Sequence, residues 1–295
     1  MPALRAFFFM KKFSLVVLLL GSFAALADAP SPSANGNAEI PARNKPVLGL
    51  FKRDPDAYSM VSATEGLSAH KPTYILPFTY SPDYTGSRSE VIFQISAKQR
   101  LFARNLYFGY TQKSFWELYN QKQSAPFRET DYNPEMFYRW ILDPQQYHHW
   151  GADIGFEHES NGQSVPQSRS WNRIYFSPFQ ARGKQLAYFK IWYRIPEGEK
   201  SSPDAARGDD NPDIERYMGY GEIQFQRQFD DEGQFAFQLH GNPATGRAGG
   251  WLMYSRPNAD HSLFYCIRLW QGYGESLIDY NTSVTRLGIG VMLAR

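Results

Sequence analysis

From about residue 70 to the C-terminus, short segments of the chain alternate apolar and polar residues with a period of two, and no helical period is sustained. Successive side chains of a strand point to opposite faces, so each segment presents one apolar and one polar face. In the last segment Thr285, Leu287, Ile289, Val291 and Leu293 make one face, and Arg286, Gly288, Gly290 and Met292 the other. Between Leu106 and Leu118 the apolar face is Leu106, Phe108, Tyr110, Trp116 and Leu118, interrupted by Gln112 and Ser114. About twelve such segments follow one another, near residues 72–82, 89–99, 104–118, 127–140, 146–160, 168–180, 185–195, 216–229, 233–241, 248–256, 261–272 and 284–294. Past the first thirty residues no apolar run approaches the roughly 18 residues of a spanning helix, so this chain would have to cross a membrane as strands. The expectation is an all-β fold over 69–295, a twelve-stranded antiparallel transmembrane β-barrel, with the even strand number usual for bacterial barrels. A load of 19 Tyr, 22 Phe and 7 Trp suits the two aromatic belts of such a barrel. A soluble sandwich or lipocalin-like barrel would alternate as well; the export signal described next and the outward apolar faces favour the membrane version.

Lys11 and Lys12 precede the apolar run Phe13 to Leu20, and Ala25-Leu26-Ala27 offers a small-residue cleavage site, so residues 1–27 read as a signal peptide. Residues 28–68, opening with Pro30-Ser31-Pro32-Ser33-Ala34-Asn35-Gly36, read as a flexible leader without visible chemistry. A net charge of +2 gives no basic field for nucleic acid, and none is expected as a partner. The single cysteine, Cys266, excludes an intrachain disulfide and a cysteine metal site.

Chemistry concentrates in Gly155-Phe156-Glu157-His158-Glu159-Ser160-Asn161-Gly162-Gln163-Ser164 and in Ser168-Arg169-Ser170-Trp171-Asn172-Arg173. His158 and Ser160, two apart on a strand, share a face with Cα atoms roughly 6–7 Å apart. Asn161-Gly162 signals a turn, and a loop centred near Val165 would bring Asn172 back opposite His158. The three would form a Ser-His-Asn triad: Ser160 as nucleophile, His158 as its base, and Asn172 fixing the imidazole tautomer. His158 and Ser160 continue the apolar row Trp150, Ala152, Ile154, Phe156, and Asn172 continues into Ile174 and Phe176. Asp153, Glu157, Glu159, Arg169 and Arg173 occupy the opposite rows, suited to a polar lumen. A triad on the outer face would meet acyl chains and ester groups of lipid. Ser164, Ser170 and Glu159 read as turn or polar-face residues.

Several blocks then carry a family resemblance: Tyr110-Thr111-Gln112-Lys113-Ser114, Ser124-Ala125-Pro126-Phe127-Arg128-Glu129-Thr130, His158-Glu159-Ser160-Asn161-Gly162, Ser168 to Arg173, Asp209-Asp210-Asn211-Pro212-Asp213-Ile214, Tyr217-Met218-Gly219-Tyr220 and Gly272-Tyr273-Gly274-Glu275-Ser276-Leu277-Ile278-Asp279-Tyr280-Asn281. In this order they span about 110–293, and the chain resembles the outer-membrane phospholipase A family. The resemblance implies a bacterial outer-membrane enzyme that hydrolyses both acyl esters of membrane phospholipids, and also lysophospholipids, and is activated as a homodimer. It implies the same roles for His158, Ser160 and Asn172. It further implies Ca2+ bound by the backbone carbonyl of Gln163, by Ser168, and by Ser124 of the second chain, with Gln112 hydrogen-bonding across the dimer. An unpaired amide in hydrocarbon is costly, so some partner for Gln112 is expected physically. Val165 stands where a carboxylate would support a second calcium, so none is carried over although Asp210 remains; the chain ends in Arg295 rather than an aromatic residue. The competing class is a non-enzymatic pore or structural barrel.

Overall fold

The computed structural model describes residues 60–61, 66–102, 105–142, 148–260 and 262–294. Its strands are β1 (Leu67–Ala69), β2 (Thr73–Tyr80), β3 (Val91–Leu101), β4 (Leu106–Trp116), β5 (Phe127–Leu142), β6 (His148–Ser160), β7 (Ser170–Arg182), β8 (Gln185–Ile195), β9 (Gly221–Gln228), β10 (Gln234–Asn242), β11 (Arg247–Pro257), β12 (Phe264–Gly272) and β13 (Val284–Ala294). Every named pairing is antiparallel, and each strand from β3 to β13 pairs with the next. β1 and β2 both pair with β3, Leu67 opposite Gln99 and Tyr74 opposite Gln94, so together they make one interrupted stave. The interruption includes Pro72, which has no N–H to give to a ladder. Pairing of β13 with β2, Leu287 opposite Tyr80, closes the ring at twelve staves. Closure leaves no edge strand among the described residues, the condition for strands to cross hydrocarbon.

The period-two pattern sorts by face as read. Phe156, Ile174, Phe176, Ile191, Ile267 and Ile289 are exposed on the outside, while Asp153, Glu157, Arg173, Lys190, Arg268 and Arg286 are buried within. Interior charges meet countercharges: Arg139 with Asp153 at 2.7 Å, Glu157 with Arg173 at 3.0 Å and Lys190 at 2.7 Å, and Arg286 with Glu275 and Glu90 at 2.8 Å. His70, Lys71 and the Tyr175 hydroxyl gather on Glu135 at 2.8, 3.0 and 2.7 Å. Removing one partner from such a pair strands the other and costs about 3–5 kcal/mol.

The strand expected over 216–229 differs at its start. Residues Glu215–Met218 form a one-turn helix, α1, and β9 begins only at Gly221. Between them Gly219 adopts φ +71°, and a Cβ there would lie 1.8 Å from the Gly241 carbonyl oxygen, so the backbones touch where a strand side chain would have to fit. Just before α1, Ile214 is fully buried and packs in one cluster with Trp171, Trp192, Leu277 and Tyr280. Burial and a hydrogen bond to Asp213 push the Tyr280 phenol above its ordinary pKa.

Connections are long at one end, 161–169, 196–220 and 273–283, and tight at the other, as at 183–184, matching the outside-to-periplasm asymmetry of such barrels. Near the tight end Met60 and Val61 pack against Phe179, Leu186 and Tyr188, and the Met60 carbonyl accepts from Lys98 Nζ and Arg139 Nη2, both at 2.9 Å. The signal peptide at 1–27, the rest of the leader to residue 59, and Arg295 lie outside the described residues.

Candidate active site

Strands β6 and β7 form a hairpin whose register puts His158 opposite Asn172 and Ser160 opposite Ser170, as a turn centred on Val165 requires. The loop between them is organised by Asn161. Its Oδ1 accepts from the backbone N–H of Gln163 at 3.3 Å and of Arg169 at 2.9 Å, and its Nδ2 donates to the Gln167 carbonyl at 2.9 Å and Glu129 Oε1 at 3.3 Å. Gly162 follows with φ +64°, a left-handed turn position that favours glycine.

His158 Nδ1 lies 2.9 Å from Asn172 Oδ1. The carboxamide oxygen only accepts, so Nδ1 carries a proton, and in the neutral ring that leaves the lone pair on Nε2. Asn172 Nδ2 donates to Glu197 Oε1 at 3.2 Å, which directs the oxygen rather than the nitrogen of the amide to the ring. Ser160 stands two residues beyond His158 on the same strand, and parity sets it on the same face. That face is the outer one, since Ile154 and Phe156 before His158 and Ile174 and Phe176 after Asn172 are all exposed.

The lumen side of the hairpin is pinned. Glu159 Oε2 accepts from Trp171 Nε1 at 2.9 Å and from Arg173 Nη2 at 2.8 Å, and the Arg173 guanidinium lies 3.7 Å from the Trp171 ring centroid. Asn133 Nδ2 holds the His158 carbonyl at 2.9 Å from the neighbouring β5.

Gln163 and Ser168 sit on the loop just past Ser160. The Ser168 hydroxyl donates to Asp210 Oδ2 at 2.5 Å, and Asp210 is also paired with Lys200. Ser170 N–H donates to Asn211 Oδ1 at 3.0 Å, and Arg194 holds Asp209 at 2.6 Å, so the Asp209–Asp213 segment clasps this loop from the β8–β9 side. Ser124 is exposed on a different loop, between β4 and β5, with φ 61°. Among the described residues no group of three or more His, Cys, Asp or Glu is placed to hold a metal.

Gln112 has partners on its own strand, Tyr110 Oη at 3.1 Å and Ser114 Oγ at 3.3 Å, so its amide is not stranded within one chain. The register places it in a row with the nucleophile position: Ile95, Gln112, Tyr132, Ser160 and Ser170 are successive cross-strand partners from β3 to β7. Sequence reasoning took Asn161 only as a turn signal and missed Glu197 altogether. The one hint for Glu197 was its place just past the segment ending at 195, at the loop end.

A closed barrel with an apolar exterior, a charged packed interior and a Ser, His and Asn together on the outer face defines an outer-membrane barrel enzyme. The chain belongs to the phospholipase A1 family: the family model described as Phospholipase A1 matches residues 56–293. A phospholipase A1 of Klebsiella pneumoniae is 40% identical over 215 residues, covering 70% of this chain and 71% of that one. The solved outer membrane phospholipase A from Escherichia coli superposes with a TM-score of 0.67 at 34% identity, covering 77% of this chain and 98% of its own. A dimer of the Salmonella typhi outer membrane phospholipase with bound calcium gives a TM-score of 0.68 at 32% identity, covering 82% and 98%. The protein is an outer-membrane phospholipase.

Proposed function

We propose that the protein is a calcium-dependent phospholipase that hydrolyses the sn-1 and sn-2 acyl esters of phospholipids and lysophospholipids through Ser160, His158 and Asn172, and that its active form is a homodimer. The observation that carries this reading is the 2.9 Å contact between His158 Nδ1 and Asn172 Oδ1 on the outward face that Ser160 shares. His158 Nε2 takes the proton of Ser160 Oγ as that oxygen attacks the ester carbonyl carbon. Collapse of the tetrahedral intermediate breaks the acyl carbon–oxygen bond, and His158 returns the proton to the departing alcohol. Water, activated by the same imidazole, then releases the fatty acid and restores Ser160.

Asn172 orients the ring but, being neutral, supports the imidazolium less than an aspartate would. Calcium, when bound, supplies positive charge for the developing oxyanion. Gln163 by its carbonyl, Ser168 by its hydroxyl, and Ser124 of a second copy are the residues to hold it. Carbonyl and hydroxyl oxygens suit a hard cation. Ser168 also fits, because its proton is committed to Asp210 while its lone pairs remain available. Ser124 lies exposed on the separate loop between β4 and β5, where a second copy can reach it. The row shared by Gln112 and Ser160 would set a Gln112-centred dimer contact beside the chemistry.

Labelling with a hexadecyl sulfonyl fluoride in detergent micelles tests the reading. Modification should fall on Ser160, require calcium, and stop on chelation; a label on another residue, or labelling indifferent to calcium, would contradict the nucleophile or the metal respectively.

A further inference from the structure

We infer that Glu197 is a positioning residue for the hydrolytic site, holding the Asn172 carboxamide in its working orientation and setting a negative charge behind it. This rests on the Ser160–His158–Asn172 reading above. Ile195, the last residue of β8, is the register partner of Asn172, so Glu197 follows two residues on, with the parity of that face. Strand geometry thus carries its carboxylate to the far side of the amide, where Asn172 Nδ2 donates to Glu197 Oε1 at 3.2 Å. The two contacts form a line from His158 on β6 through Asn172 on β7 to Glu197, two residues past the end of β8.

Two physical consequences follow. An asparagine side chain is nearly symmetric in shape, and turned over it would offer N–H to the ring and demand the opposite tautomer of His158. A carboxylate can only accept, so it selects the orientation in which Nδ2 faces Glu197 and Oδ1 faces Nδ1. An amide whose N–H is bound by an anion is also polarised, which makes its oxygen a stronger acceptor. The charge that a Ser-His-Asp triad places next to the ring is here supplied one group further back. The neighbouring basic residues Arg194 and Lys200 are engaged by Asp209 and Asp210, so they do not draw this carboxylate away.

Glu197→Ala, Glu197→Gln, Asn172→Ala and the Asn172→Ala/Glu197→Ala double variant separate the roles, each assayed with calcium on phospholipid mixed micelles after heat-modifiable electrophoresis has established a folded barrel. Glu197→Ala should lower kcat about tenfold with KM within about twofold. Glu197→Gln, which keeps an acceptor without the charge, should fall in between. In the Asn172→Ala background the Glu197→Ala change should cost less than about twofold, because the residue it acts through is gone. A wild-type kcat in Glu197→Ala, or an undiminished loss on top of Asn172→Ala, would overturn the inference; a wild-type kcat in Glu197→Gln would overturn the role of the charge. Sulfonyl fluoride labelling keeps this apart from the underlying reading. If wild-type Ser160 does not label, the triad fails; if Ser160 labels equally fast in wild type and Glu197→Ala, only Glu197 fails.

Discussion

Four consecutive residues of β6 face two environments by turns, and the contrast between those faces divides the labour of the protein. Glu157 and Glu159 point inward, where Arg173 and Lys190 pair with Glu157, and Arg173 and the Trp171 indole with Glu159. His158 and Ser160 point outward, where the His158 ring meets Asn172 Oδ1 among exposed apolar residues. The interior is cross-linked by several ion pairs. The exterior is lightly tethered and open to an acyl chain. With the proposed triad, stability and chemistry are set on opposite sides of one backbone, separated by a single residue of register.

The largest effect that would sharpen this contrast is on the outer face. Ser160→Ala should reduce fatty-acid release by roughly 10^4-fold or more while leaving urea-induced unfolding of the barrel unchanged. A loss of stability of similar weight would erase the division. Arg139→Ala on the inner face should do the reverse, leaving Asp153 buried without its cation and costing about 3–5 kcal/mol in reversible unfolding from lipid, with activity per folded molecule retained. On the lipid face away from the triad, Ile154→Arg should cost about 2–4 kcal/mol, less if that depth lies near the interface. The smallest change is expected for Gln112→Ala, about 1 kcal/mol of dimerisation read by sedimentation in detergent. Its amide already has neighbours within the strand, so a loss several times larger would mean the dimer contact replaces those bonds.

The barrel was legible because alternation is a local signal repeated in each segment, and the face it assigned to Ile154, Phe156, Ile174 and Phe176 is the face they occupy. The pairing of His158 with Asn172 was legible for the same reason, since a hairpin centred on Val165 needs only counting. The α1 turn was not, because the contact that ends the strand pattern there is between Gly219 and Gly241, on chain segments that the sequence does not mark as neighbours. Glu197 was hidden in the same way: its partner is 25 residues earlier, and nothing in the spacing marks the two as adjacent. The row joining Gln112 to Ser160 through Tyr132 likewise depends on the register of β4 against β5 and β5 against β6.

Taken alone, the sequence determined which residues of each strand would turn to lipid and which inward, and which histidine and serine would share a face, because those follow from the two-residue period of the backbone. Only the tertiary structure decided what stands beside each of them: the carboxylate behind Asn172, the clasp of Asp210 on Ser168, and the countercharges lining the lumen. Periodicity is a property of one strand, whereas neighbours across strands are set by register and closure of the whole ring.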